Sequence, residues 1–250
     1  MNFKLGKKPA RASATFAFAD FFDASKLPTP PDVFGHHAAV QEFHMLGNDV
    51  AGCCVWSGAA HQEYIWSLEG GRERTRITTK DVLSDYSACT GYAGTQATDN
   101  GTDMQDGAEY WRKTGILDAL GNRHQIDCHV SLETGNWDQM ILATWLLGTS
   151  GIGIQLPKSA SDQFDNGNQP WTVVQGARIE GGHYIPAAGR DQNGNILIIT
   201  WGKVQPMTQP FYERYCDEAR AYLSLSILDN RGISPEGFDA DALRKYVNQL

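Results

Sequence analysis

The chain has 250 residues, 41% hydrophobic and 20% charged, which suits one large globular domain or two closely packed lobes. With 21 Lys+Arg against 29 Asp+Glu, a net charge of -8 and no basic stripe interleaved with aromatics, nucleic acid is not an expected partner. No stretch approaches the roughly 20 apolar residues of a membrane span, and the apolar run ATFAFADFF is broken by Asp20 and Asp23 and lacks a small-residue cleavage site. Neither a membrane span nor a signal peptide is expected.

Residues 1–47 read as an irregular or short-stranded arm, because Pro28, Pro30 and Pro31 in LPTPPDVFGHH forbid a long helix. In LGNDVAGCCVWSGAAHQEY the spacing of Val55, Ala59, Ala60, Tyr64 and Trp66, bounded by Gly52 and Gly70-Gly71, predicts a helix over 55–67 with Cys54 at its N-terminus. TTKDVLSDYSA offers a Thr cap with Asp81 in the first turn, and DMQDGAEYWRKTG an acidic start, a basic last turn and Gly115 at its end. NWDQMILATWLLG, from the cap Asn136 to Gly148, predicts a further helix, and GIGIQLP a short buried strand. Residues 157–182 read as a polar loop. GGHYIPAAGRDQNGNILIITWG then reads as a hairpin turning at DQNGN. FYERYCDEARAYLS predicts an amphipathic helix and DADALRKYVNQ a final short one. Helices dominate the first half and strands the second, so the expected class is α+β with two facing lobes.

Five cysteines, at 53, 54, 89, 128 and 216, are an odd number in a chain large enough to build its own core. No disulfide framework is required, a bridge between Cys53 and Cys54 would be strained, and a reducing setting is the simpler expectation. A thiol at a helix N-terminus feels unpaired backbone N–H groups, which favour thiolate and lower its pKa. A thiol nucleophile needs a general base and an oxyanion donor, often from distant parts of the chain; His183, at the start of the hairpin, supplies a base.

The order Cys then His, the step Gly52-x-Cys54 into a helix continuing Ser57-Gly58-Ala59, and the GGH…ILI…WG hairpin resemble the papain-like cysteine peptidases. His183 lies 129 positions after Cys54 (183 − 54), at the edge of the roughly 130–150 of that family. DVLSDYSACTG resembles the family's approach to a Cys-x-Gly-Gly loop. A nearer likeness is to papain-fold proteins encoded in phage and bacterial genomes, whose entry motif reads roughly G-N-D-x-x-G-D-C; WGKVQPMTQPFYERYCDEARAYLS and GISPEGFD look like that group as well.

The resemblance implies a papain-like α+β fold in one domain: a helical lobe over 45–125, a β-rich lobe over 126–225 with the N-terminal arm, and a helical tail over 226–250. It decides between the two sulfurs. Six residues before Cys54, where the family has its oxyanion-hole Gln, stands Asn48, and two before stands Gly52; counting from Cys53 puts Gly47 at the amide position. Cys54 is therefore the expected nucleophile, His183 the acid/base and Asn48 the oxyanion donor. The family's orienting Asn is missing, because Ile199 occupies its place in ITWG, and Thr200 is the candidate substitute, shielded by Trp201. Gly52, Gly91, Gly182, Trp201 and, in the loop before His183, Trp171 are the expected substrate-binding residues. The place expected to pair with Cys89 is Ala51, so that family disulfide is absent, and the 47 residues before Asn48 are too few for a typical prosegment plus the mature arm.

The implied activity is peptide-bond hydrolysis on a peptide or protein substrate, with no cofactor, in the cytoplasm or a virion. A peptidoglycan amidase of the same fold and a catalytically silent binding or virion protein are the alternatives. The remaining histidines show no H-x-x-x-H spacing and no C-x-x-C accompanies them, so no metal is expected. His61, two helical turns after Cys54, is expected to pack beneath the site.

Overall fold

The structure, a computed structural model, describes residues 3–11 and 29–247. The run ATFAFADFF, Pro28 and the last three residues lie outside them. Among the described residues, no helix is long and apolar enough to cross a membrane.

Helix α1, Cys54–Glu69, is buried over nearly its whole circumference and forms the spine of the molecule. Its polar residues can be buried because each is paired. Gln62 donates to Thr149 Oγ1 at 2.9 Å and accepts from the Tyr184 hydroxyl at 2.6 Å, and Trp66 donates to the Leu147 carbonyl at 2.8 Å. Helix α2, Thr79–Thr90, starts with a capping box between Thr78 and Asp81. Helix α3, Met104–Lys113, is capped by Asp103, whose carboxylate accepts from the N–H groups of Gln105 and Asp106. These helices surround one side of α1, with a small ribbon of β2, Ile116–Leu117, and β3, Arg123–His124.

The other side is an antiparallel sheet in the order β4-β9-β5-β6-β7-β8, with β1, Phe34–Gly35, added to β6. The strands are β4, Cys128–Leu132; β5, Ser150–Pro157; β6, Ile179–Arg190; β7, Ile196–Thr200; β8, Lys203–Met207; and β9, Cys216–Leu223. Helices α4, Trp137–Leu147, α5, Lys158–Asp165, and α6, Gln209–Tyr215, connect them, and α7, Ala240–Val247, follows the sheet. Helix α1 packs on β6 at Gly58, where a Cβ would lie 2.4 Å from the Tyr184 ring. The fold is α+β, as the sequence predicts; Cys54 heads α1, and His183 lies on β6 beside Tyr184, which packs on α1.

Two elements differ from expectation. FYERYCDEARAYLS is helical only as far as Tyr215; from Cys216 it is β9, bonded between β4 and β5. Ala219, Ala221, Tyr222 and Leu223 are each at most 2% exposed, so this strand is buried on both faces and carries little period-2 signal to separate it from a helix. The loop expected over 157–182 contains α5, and β6 starts at Ile179, so His183 sits within the strand and not at its start.

Candidate active site

The chain enters α1 through a turn fixed by Asp99. The Gly52 N–H donates to both Asp99 oxygens at 3.0 and 3.1 Å, and the Tyr86 hydroxyl donates to the same carboxylate at 2.7 Å while accepting from the Gly101 N–H at 2.9 Å. Cys53 caps the helix and Cys54 is its first residue. The two sulfurs differ. Cys53 is fully buried, its thiol aimed at the Leu46 carbonyl 3.8 Å away, and burial, with Cys54 beside it, drives its pKa up.

Cys54 faces the backbone N–H groups of Tyr184, Gly6 and Val55. Its pKa is raised by burial, against which those three N–H groups and the Lys7 charge act to lower it. The helix N-terminus acts in the direction the sequence predicts, but a thiol only 1% exposed is governed by desolvation, so the expected lowered pKa is not the net result.

His183 lies on β6, 1% exposed, with its Nε2 2.8 Å from Thr200 Oγ1 at the end of β7. Its Nδ1 is buried and makes no hydrogen bond among the described residues. Desolvation holds its pKa down to about 3, so the ring is neutral. Thr200 pairs with Lys203 across a two-residue turn in which Trp201 and Gly202 both have positive φ, the backbone a tight hairpin requires. Trp201 at φ 47 costs about 1 kcal/mol or more in local strain. In that conformation its ring stacks on His183, centroids 5.0 Å apart and planes 21° apart, and covers the His183–Thr200 contact.

The cleft between α1 and β6 is filled by the chain itself. Residues 4–8 run across it, with an isolated parallel bridge between Lys7 and Thr102. Lys4 N–H donates to the Asn48 carbonyl at 3.1 Å, and the Asn48 side-chain amide donates to the Lys4 carbonyl at 2.9 Å. The Thr102 N–H donates to the Gly6 carbonyl at 2.7 Å, Lys7 N–H to the Gly182 carbonyl at 3.1 Å, and Lys8 N–H to the Thr102 carbonyl at 3.0 Å. Gly6 is pressed against Gly52 so closely that a Cβ on Gly6 would lie 1.8 Å from the Gly52 oxygen. Phe3 stacks on the outer face of Trp201 at 3.9 Å and 9°. Arg11 reaches Asp103 and Asp106 at the start of α3. Through these contacts the N-terminal residues occupy the cleft.

The structure brings His183, Thr200 and Trp201 together and puts Cys54 near the backbone N–H of Tyr184, the residue after His183, with Asn48, Gly52 and Gly182 on the backbone of the segment. Gly91 and Trp171 fall elsewhere. Gly91 ends α2 with φ 78, and a side chain there would meet open space; the glycine on the segment is Gly101, where a Cβ would lie 2.1 Å from the Gly6 oxygen. Trp171 is fully buried and packs edge-on behind Trp201, centroids 5.9 Å apart, as core and not as cleft wall. His61 is buried with Nε2 3.0 Å from the His44 carbonyl, and its pKa is pushed down to about 4 by desolvation. Gly101 and Thr102 carry no chemical signal of their own; the turn DNG just ahead of the Asp103 cap is what marks the place.

No protein-family model and no curated protein sequence matches the chain. Among solved structures it is similar to xylellain, a cysteine protease from Xylella fastidiosa, with a TM-score of 0.69 at 13% identity over 89% of this chain and 97% of that one. It is similar to procathepsin B S9 from Trypanosoma congolense, TM-score 0.65 at 12% identity, covering 88% of this chain and 86% of that one. A cysteine protease of Carica candamarcensis in complex with E-64 superposes with a TM-score of 0.59 at 15% identity, over 78% of this chain and 99% of that one. At these identities the likeness is one of fold, and the chain has the papain-like α+β fold.

Proposed function

We propose that the chain is a cysteine peptidase in which Cys54 is the nucleophile, His183 the general acid and base, Asn48 an oxyanion donor and Thr200 the residue that orients His183. The observation that carries the reading is that the surface around Cys54 binds peptide backbone: Asn48, Thr102 and Gly182 all hydrogen-bond the main chain of residues 4–8. The solved structures of this fold named above are cysteine proteases, one of them bound to E-64, which supports the same chemistry.

In the proposed reaction, Nε2–H of His183 is donated to Thr200 Oγ1, which leaves the Nδ1 lone pair to take the Cys54 proton. The sulfur attacks the substrate carbonyl carbon, and the carbonyl oxygen, now negative, is held by the Asn48 Nδ2–H and the Cys54 backbone N–H. His183 passes its proton from Nδ1 to the leaving amine as the C–N bond breaks. Water then gives a proton to Nδ1 and attacks the thioester, releasing the acid and the Cys54 sulfur. Trp201 keeps bulk water from the His183–Thr200 contact.

Residues 4–8 occupy the place proposed for the substrate backbone. The Lys4 carbonyl accepts from the Asn48 side-chain amide, and the Gly6 carbonyl accepts from the Thr102 N–H. The neutral imidazole and the raised thiol pKa describe this closed arrangement, in which solvent is excluded. Incubation of a peptide library with the chain carrying Gly6→Ala, in which the segment cannot seat, is the test. Cleavage that disappears with Cys54→Ala in the same background is expected; a product pattern unaffected by Cys54→Ala refutes the assignment.

A further inference from the structure

Lys7 is buried to the end of its side chain, and its Nζ lies 2.7 Å from Asp217 Oδ1. A lysine so placed needs a pocket shaped for it, since an ammonium without a partner is not tolerated in a dry site. The pocket is amphipathic along its length. The aliphatic stem lies on Gly153 of β5, where a Cβ would be 2.2 Å from Lys7 Cε, and beside Met104 at the start of α3. At the far end Asp217 is aimed inward by an irregularity of the sheet: Gly153 pairs with Glu218 but Ile154 with Cys216, so Asp217 is the extra residue of a β-bulge. The Gln155 side chain donates to the second Asp217 oxygen and fixes the carboxylate.

The pocket opens beside the reacting groups. Lys7's own N–H is on the carbonyl of Gly182, the residue before His183, and Gly6 is packed on Gly52, two residues before Cys54. A side chain entering the pocket therefore belongs to a residue within about one position of the peptide group at the sulfur, since an extended residue spans roughly 3.3–3.6 Å.

We propose that the Lys7 pocket is a specificity pocket of this site, selecting a lysine or arginine side chain of the substrate, with Asp217 as the residue that sets the choice. The inference rests on the peptidase reading and adds its substrate class. Residues 4–8 then act as a resident occupant, with Lys7 filling the place of the substrate's cation. The wider charge pattern agrees, because Arg11 of the same segment lies on Asp103 and Asp106. Gly153 is part of the same device, since any side chain there would shorten the pocket.

The experiment uses the full chain carrying Gly6→Ala, which unseats the segment, together with Lys7→Ala, which empties the pocket, and dipeptidyl epoxides bearing Lys, Leu or Glu at each of their two residues. Labelling rates of Cys54 are compared as ratios on the same variant, so that any residual seating of the segment cancels. At one of the two probe positions the Lys probe is expected to react at least tenfold faster than the Leu probe. Adding Asp217→Asn is expected to erase that ratio, and Asp217→Lys to transfer the preference to Glu, an exchange that mere loss of packing would not produce. Equal Lys and Leu rates in this double variant, or a preference unchanged by both Asp217 variants, overturns the proposal. Thermal shifts of the double variant with acetylated Lys-containing and Leu-containing dipeptide amides read the pocket without thiol chemistry. If no probe labels Cys54, the peptidase reading fails. A Lys-selective, Asp217-dependent shift then still supports the cation pocket, and its absence overturns it.

Discussion

Gly6→Ala is the smallest change that should open the cleft. Five hydrogen bonds tie residues 4–8 to Asn48, Thr102 and Gly182, at 2.7 to 3.1 Å. At about 1 kcal/mol each they hold the segment by about 5 kcal/mol before the Lys7–Asp217 pair is counted. A methyl at Gly6 would put Cβ 1.8 Å from the Gly52 oxygen, 2.2 Å from the Gly52 carbonyl carbon and 2.4 Å from its Cα. These are backbone atoms at the entrance to α1, where Gly52 is already bound to Asp99, so they cannot yield as a side-chain tip would. Keeping the methyl in place would require the segment to give up its bonds near Gly6. Each 1.4 kcal/mol lost from the closed state is tenfold in the closed-to-open ratio. The rate of Cys54 labelling by a peptidyl epoxide, measured on wild type and Gly6→Ala with melting curves to verify the fold, is expected to rise tenfold or more. An unchanged rate in a folded Gly6→Ala chain would refute the claim that these residues close the site.

Thr200→Val in the Gly6→Ala background keeps a β-branched shape but leaves His183 Nε2 unpaired in a buried site, at a cost of about 1–3 kcal/mol. If that cost falls on the reacting geometry, kcat should drop roughly tenfold to a hundredfold with KM little changed, as steady-state kinetics would read; a change under twofold removes Thr200 from the positioning role. His124 gives a pH signature away from the site. Glu63 and then Asp118, at 3.3 and 3.0 Å from its ring nitrogens, raise its pKa to about 9. The stability it contributes is full below its ordinary value near 6.5 and is lost as pH rises through about 9. Urea midpoints should fall over that window in wild type and fall less in His124→Asn; identical slopes contradict the assignment.

What was readable in the sequence was local or anchored to a local count. The helix entered at Gly52-Cys53-Cys54 and the hairpin through DQNGN depend on residues close in the chain, and each lies where the sequence predicts it; the register from Cys54 back to Asn48 is likewise a local count. The 2.8 Å contact between Thr200 and His183 is anticipated from the dipeptide Thr200-Trp201, a hydroxyl beside an indole able to shield it. The rest depends on contacts that no window contains. Lys7 reads as one cation in a solvated basic start; its partner is Asp217, 210 positions away, presented by a bulge. Gly91 and Gly101 are both followed by plausible loop residues, and only the path of residues 4–8 selects Gly101. The strand β9 reads as helix in the sequence because burial on both faces erases the alternation that identifies a strand. The thiol pKa differs from expectation because the helix N-terminus is visible in the sequence, while the burial that outweighs it comes from tertiary packing.

The proposed chemistry requires Cys54 to be the sulfur that faces the peptide cleft. Mass mapping of the Gly6→Ala chain after reaction with a peptidyl epoxide measures this directly. A single adduct on Cys54, abolished by Cys54→Ser and retained in Cys53→Ser, is the predicted result; an adduct on Cys53, Cys89, Cys128 or Cys216, or none, would contradict it.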